Sequence, residues 1–532
     1  MANITVKDIL FCTDGKLLAG EESTVVENFC INSLNIINGD IFVPIIGERT
    51  DGHKYIKSAL EGGAVATLTS VDLAEEFVPG KAYILVDDTL KALQSIAEYM
   101  RSRMPLPIVG ITGSVGKTTT KEMIAAVLET KRNTFKTEGN MNSQIGLSIM
   151  MTRLEAEHNA AVIEMGVSEF GEMDNLTRIA KPDFFVMTNI GVSHIGQFKT
   201  RDNICYEKLK IVNGYKEDNS KTFAYDLNDI NVLFVNGDDD KLVRIAEYSK
   251  ALNNDSLNEA DQEAYEEKVK EQLDNCPMSE GSKKALDRTK VITYGIDGDF
   301  DYKAINIESS NGQTQFDVVY SNSKNETKTE HVVLNVLGKH NIYNALVAIA
   351  VGRCFNIEPS VAKEGLFNYR PIKMRGTIEE FNGVKVIDDT YNASPDSMKS
   401  GVDVLLAVEN VDRRIAVLAD ILELGDMSHE CHYEVGEYIA KKNNDAYENA
   451  NGTSNYVDEV ITIGENSKAI ADGINDKIAD NNKINVLTHS FMSNSEAIDY
   501  LNQCLADKTA VLIKGSRGMH TDEIVEAIKT RE

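Results

Sequence analysis

The chain has 532 residues, enough for about three domains. Its 83 acidic residues against 55 basic ones give a formal charge of −28, and a surface that acidic argues against nucleic-acid and anionic-lipid partners. Seven scattered cysteines without a Cys-x-x-Cys pair offer no disulfide or zinc framework, the N-terminus lacks a signal-peptide layout and no apolar run is long enough to cross a membrane, so the expectation is a cytoplasmic monomer with reduced thiols.

In chain order, Asp40–Ile46, Ala64–Thr69 and Ala82–Val86 read as short strands, and Thr89–Arg103 as a helix with apolar residues at helical spacing. Met104-Pro105-Leu106-Pro107 reads as a linker, because two prolines resist helix. From Ile108 to about Tyr369, apolar strands (Ile108–Thr112, Ala160–Met165, Phe184–Asn189) alternate with helices (Lys117–Thr130, Asp174–Ile179, Asn341–Phe355). Such alternation predicts a mostly parallel sheet covered by helices on both faces. Tyr302–Glu308, Thr314–Tyr320 and His331–Leu337 are separated by polar turns and predict an antiparallel extension. Asn253–Asp287 and Asn443–Asn455 are polar insertions with few large apolar residues. A third unit starts near Pro371, with strands at Val384–Asp388, Ile415–Asp420, Val460–Gly464 and Ala510–Lys514. The predicted fold class is therefore α/β in three domains: a small N-terminal unit (1–103), a central unit (104–369) and a Rossmann-like C-terminal unit (370–532).

The most informative stretch is Gly110-Ile111-Thr112-Gly113-Ser114-Val115-Gly116-Lys117-Thr118-Thr119. A glycine-rich turn between strand and helix aims several backbone N–H groups at one point, where the helix N-terminus adds partial positive charge. That is a phosphate cradle, with Lys117 placed to reach the outer phosphates and the Thr118 hydroxyl to ligate Mg²⁺. Glu164 ends a buried strand, at the edge where a parallel sheet binds ligands, and a carboxylate beside a phosphate loop suits Mg²⁺. His194 lies in the loop after the next strand and is a candidate second metal ligand. From charge pattern alone, Lys208 reads as part of a solvated helix face. Asp388-Asp389-Thr390-Tyr391-Asn392-Ala393-Ser394-Pro395 sets acidic and aromatic groups at a strand end, with Ser394 as helix N-cap and Pro395 in the first turn.

These stretches resemble the Mur ligase family, and within it the members that add D-alanyl-D-alanine. The resemblance covers nearly the whole chain apart from the two polar insertions. It runs in order through Thr112–Thr119, Thr137–Gly146, Val162–Gly166, Thr188–Gly191 with His194, Gly338–Ala345, Asp389–Ala393, Leu422–Gly425 with His432, and Lys514–Gly518. It implies an ATP-dependent amide ligase of cytoplasmic peptidoglycan precursor synthesis. UDP-N-acetylmuramoyl-tripeptide and D-alanyl-D-alanine would be its substrates, and an acyl phosphate its intermediate. The resemblance also implies a catalytic set of Lys117, Glu164, His194 and Lys208. Thr118, Glu164, His194 and Lys208 would place two Mg²⁺ ions, with Lys208 carbamylated. ATP would be held by Gly113, Ser114, Gly116, Lys117, Thr118 and Thr119, by His340 and Asn341 on the adenine side, and by Arg375, Asp389 and Tyr391 from the C-terminal unit. Ser33, Gly47, Arg49, Asp51, Asn140, Asn142 and Asn392 would bind the other substrates.

The chain departs from the family pattern at three places. Ser143 stands where that pattern has Asn, Lys210 where it has Glu, and Asn32 and Leu34 where a uridine-binding run has Asp and Arg. Two other readings therefore stay open: a related ligase of the folate type or with a changed acceptor, and a nucleotide-binding homologue that no longer catalyses.

Overall fold

The computed structural model describes residues 4–531 except 48–49, 72–76, 215–230, 253–277, 323, 450–454 and 481–485. Arg49 and most of the first polar insertion lie outside the described residues. Three large sheets organise the described chain, beside a two-stranded pair of Ile4–Thr5 and Val25–Val26. The first has the order Lys16–Ala19, Ala82–Leu85, Ala66–Thr69, Asp40–Phe42, Asn28–Cys30, parallel except for its first pair. Helix Thr89–Ser102 covers one face, burying Leu93, Ile96, Ala97 and Met100 as the spacing predicts.

The central sheet has nine strands. Its parallel part runs Lys290–Gly295, Val232–Asn236, Phe184–Met187, Ile108–Thr112, Ala160–Glu164, Thr134–Lys136. Tyr302–Ser310 joins the far edge in parallel, and Gln313–Ser321 and Thr327–Leu334 extend it antiparallel, the predicted hairpins. The middle strands are continuous apolar runs because helices cover both faces. One such face buries Val109, Ile111, Val162, Phe184 and Val186 against helices Lys117–Leu128 and Lys339–Cys354.

The third sheet runs Thr377–Phe381, Val384–Asp388, Thr509–Lys514, Arg413–Ala419, Glu459–Ile463, Leu487–Phe491, with only the first pair antiparallel. Ser394 caps helix Pro395–Ala407 with a reciprocal capping box and Pro395 in its first turn, as read from sequence. The second polar insertion begins inside helix Ser428–Asn449, where Asn443 is buried and its side chain bonds the backbone of Val457 at both N–H and C=O.

The two-proline segment is not a free tether. Met104 and Leu106 are buried in the central core. Arg101 reaches across from the N-terminal helix to donate to the carbonyl of Ala180 (2.8 Å) and lies 3.6 Å from the buried Asp183 carboxylate. The prolines stop the helix, and the apolar residues beside them dock. No disulfide joins any of the six described cysteines. Among the described residues no helix is long and apolar enough to cross a membrane.

Candidate active site

Strand register explains why the site assembles. Ile111 pairs with Glu164 and Thr112 with Met187, so three parallel strands end level with one another. The turn after the first strand, the carboxylate ending the second and the loop after the third therefore share one edge. Gly116, with φ 84°, is the N-cap of helix Lys117–Leu128 and has no side chain to bond the first turn, which leaves those N–H groups for an anion. The loop is clamped from behind. Ser114 N donates to the Asn189 carbonyl (3.0 Å), Val115 N to Asn189 Oδ1 (2.9 Å), and Gly191 N to Ser114 Oγ (2.9 Å).

Gly113 is required here for steric reasons. It has φ 147°, and a Cβ on it would lie 1.9 Å from Thr188 Oγ1, itself bonded to the Val115 carbonyl. Gly113→Ala is expected to destabilise the central unit by about 2–4 kcal/mol, from backbone strain plus overpacking. Urea denaturation followed by far-UV circular dichroism measures this, and an unchanged midpoint would contradict it.

Lys117 Nζ donates to the carbonyls of Gly113 (2.8 Å) and Ser114 (3.3 Å), so the ammonium is folded back over the loop. Burial pushes its pKa below the usual lysine range, the Glu164 charge opposes that shift and Arg375 adds to it. Thr118 Oγ1 donates to Glu164 Oε2 (3.0 Å) and accepts from Arg375 (3.2 Å). The other Glu164 oxygen accepts from Asn142 Nδ2 (2.7 Å), and the Glu164 N–H donates to Thr137 Oγ1 (2.9 Å). A buried carboxylate with both oxygens engaged and a hydroxyl beside it is a hard oxygen pair, the donor chemistry Mg²⁺ selects. Among the described residues no three His, Cys, Asp or Glu side chains cluster as a metal cage, so such an ion would depend on substrate phosphates and water for its remaining ligands.

The C-terminal unit supplies the opposite wall. Asp389 follows strand Val384–Asp388, and Lys514 ends the neighbouring strand Thr509–Lys514. Their parallel pairing brings Lys514 Nζ within 2.5 Å of Asp389 Oδ2 and 2.9 Å of the Asn392 carbonyl. Arg375 stacks on Tyr391 at 3.7 Å from the ring centroid while reaching Thr118, which ties the two units together over the loop. Between them lies a cavity of about 570 Å³, within the range of small-molecule sites. Its lining takes Ser114, Gly116, Lys117, Thr118, Thr119, Asn140, Asn142, Glu164 and His194 from the central unit's sheet edge. His340 and Asn341 join from helix Lys339–Cys354, and Arg375, Asp389, Tyr391 and Asn392 from the C-terminal unit. Asn341 Nδ2 is bonded to the Leu337 carbonyl (2.8 Å), and Asn344 links it to Thr120.

Not every sequence-predicted residue meets there. Ser33, Gly47 and Asp51 lie in the N-terminal unit and do not line the cavity. Asp51 instead accepts from His53 at both its backbone N–H (2.9 Å) and Nδ1 (2.6 Å). Leu34, at the departure from the family pattern, is 90% exposed, and Asn32 Oδ1 caps its N–H (3.1 Å). Lys208 is only 1% exposed and does not line the cavity, which overturns its reading as a solvated helix residue. Burial, reinforced by the Lys117 charge, pushes its amine well below the usual lysine range. Lys210 is neutralised by Asp174 (2.9 Å) and by Glu207 (2.9 Å), whose other oxygen accepts from Gly171 and Met173 at the start of helix Glu172–Ala180. Ser143 is the N-cap of helix Gln144–Thr152, a position Asn fills equally well, so that departure is conservative. Sequence reasoning gave no role to Asn189, Lys514 or Glu423; all three fall in matched motifs, which was the only available signal.

A phosphate loop facing a buried carboxylate, with a second α/β unit closing the cavity, defines a nucleotide-dependent enzyme whose site is shared between units. Residues 111–284 and 272–352 match the Mur ligase middle domain, and 374–517 match the Mur ligase, glutamate ligase domain. The chain is 33% identical over 530 residues to UDP-N-acetylmuramoyl-tripeptide–D-alanyl-D-alanine ligase of Bacillus subtilis (strain 168), covering 99% of this chain and 98% of the relative. It is 27% identical to the ligase of the same name from Escherichia coli (strain K12), covering 99% of each. The fold is that of MurF from Acinetobacter baumannii (TM-score 0.78, 24% identity, 99% of both chains). MurF from Thermotoga maritima in complex with ADP is also similar (TM-score 0.70, 23% identity, 95% of this chain and 98% of that one). The chain belongs to the Mur ligase family of ATP-dependent ligases.

Proposed function

We propose that the chain joins D-alanyl-D-alanine to UDP-N-acetylmuramoyl-tripeptide with ATP, forming an amide, ADP and phosphate in the cytoplasm. The observation that carries this reading is the cavity in which Lys117, Thr118 and Glu164 stand beside His194 and under Arg375, together with a full-length likeness to relatives of that name.

Phosphorylating a carboxylate brings two anions together, and the residues address that cost. The Gly113–Thr119 loop and Lys117 hold the triphosphate, and Lys117 and Arg375 offset charge spreading over the transferred group. The tripeptide carboxylate attacks the terminal phosphorus, ADP leaves, and the dipeptide amine then displaces phosphate from the acyl phosphate. Thr118 and Glu164 would hold one Mg²⁺, which when bound neutralises phosphate charge. His194 and a carbamylated Lys208 would serve a second ion. Carbon dioxide adds only to a neutral amine, and burial, which disfavours the charged form, shifts Lys208 in that direction. His340 and Asn341 take the adenine side, with Asp389 and Tyr391 closing from the C-terminal unit. Asn140, Asn142 and Asn392 contact the reacting substrates. We assign residues 1–103 to the UDP-sugar end through Ser33, Gly47, Arg49 and Asp51, 104–369 to ATP, and 370–532 to closure and the incoming amine.

The test is phosphate release over a matrix of UDP-muramoyl peptides and amines. Release is expected only with ATP, tripeptide nucleotide and D-alanyl-D-alanine together. Preferential turnover of glutamate would replace this reading with the folate-type ligase, and no turnover with any pair would favour the non-catalytic homologue.

A further inference from the structure

We propose that Glu423 is a positioning residue for the ligase reaction: it arrives from the C-terminal unit on closure and fixes the ring of His194, so the central unit's catalytic edge is complete only in the closed enzyme. The inference rests on the reading above for the role of His194 in the reaction; the contact itself stands on geometry.

His194 sits in the loop after strand Phe184–Met187 and forms part of the wall between the main cavity and a second one of about 410 Å³. Its Nδ1 lies 2.6 Å from Glu423 Oε2. The carbonyl of the same Glu423 accepts from the N–H of Gly196 (3.1 Å). One residue of the C-terminal unit thus grips the His194 loop twice, by side chain and by backbone. The approach is close: a Cβ on Gly196 would lie 2.8 Å from the Glu423 oxygen.

Both partners carry a backbone that side chains disfavour, with φ 59° at His194 and 67° at Glu423. Non-glycine residues persist in that region when their surroundings hold them, and such outliers gather at functional contacts. Stability alone is a poor reason for the pair, because the Glu423 side chain is 64% exposed and ion pairs so exposed add little. Orientation is a better one. A carboxylate that accepts Nδ1–H fixes the imidazole tautomer and leaves Nε2 with its lone pair free to act.

The experiment compares wild type, Glu423→Ala, Glu423→Gln and Gly196→Ala, each checked for folding by circular dichroism. Long-range ¹H–¹⁵N spectra of ¹⁵N-histidine-labelled protein report the His194 tautomer without any substrate, and steady-state kinetics report turnover. Wild type is expected to show one tautomer protonated at Nδ1. Glu423→Ala and Gly196→Ala should show a mixture, with kcat down roughly 10–100-fold and KM for ATP within about twofold. Glu423→Gln, whose amide oxygen can still accept, should recover part of both signals. An unchanged tautomer in Glu423→Ala, or unchanged kcat despite a changed tautomer, overturns the proposal. If wild type fails to ligate the substrates named above, the functional reading falls, while the spectra still decide whether Glu423 orients the ring.

Discussion

Lys117→Ala is expected to leave the fold intact and lower kcat by at least about 10³-fold, equivalent to about 4 kcal/mol of transition-state stabilisation. Among the described residues its ammonium bonds the Gly113 and Ser114 carbonyls of its own loop and no others. Removing it frees two carbonyls that water or backbone adjustment can satisfy, so the stability change should be small. Its contribution to the reaction is large because phosphoryl transfer offers little covalent chemistry for the protein to do; catalysis lies in holding charge. Burial desolvates the Lys117 ammonium, which therefore acts in a medium where electrostatic terms are larger than in water. Single-turnover measurement of acyl phosphate formation isolates the step. Residual ligation near the wild-type rate would defeat the assigned role.

Glu164→Gln should cost about 10²–10³ in kcat/KM and raise the Mg²⁺ concentration needed for half-maximal activity by tenfold or more. The substitution keeps shape and much of the bonding, since a glutamine can still meet Thr118 and Asn142. What disappears is the charge. Glu164 also opposes the effect of burial on Lys117, so its loss should depress the Lys117 pKa further. Mg²⁺ titrations of activity, with thermal unfolding of the same samples, distinguish this from a folding defect. An unchanged Mg²⁺ requirement would remove Glu164 from the metal.

Buried parallel strands were the most legible part of the chain. Ile108–Thr112 and Val384–Asp388 match the reading at both ends; the first is buried throughout, and the second stands out by Val384, Val386 and Ile387 despite the partly buried Lys385. Thr134–Lys136 is too short to carry a period, and the reading also passed over Val232–Asn236 and Lys290–Gly295, which lie beside long polar stretches. The loop residues and Glu164 could be found because their chemistry is local to a strand end. Lys208 could not: charge pattern records neighbours along a helix, not what packs over it. Arg375 over Thr118, 257 positions apart, and Glu423 on His194 exist only through the closure of two units, which no local pattern encodes.

The cavity takes no lining residue from before Ser114, although the loops assigned to the nucleotide sugar lie in the first sheet's unit. A substrate gripped by its head at one place and activated at its tail in another is measured by the span between them. The enzyme would then work as a gauge of peptide length: a shorter precursor, however well its sugar fits, would leave its terminal carboxylate outside the reach of Lys117.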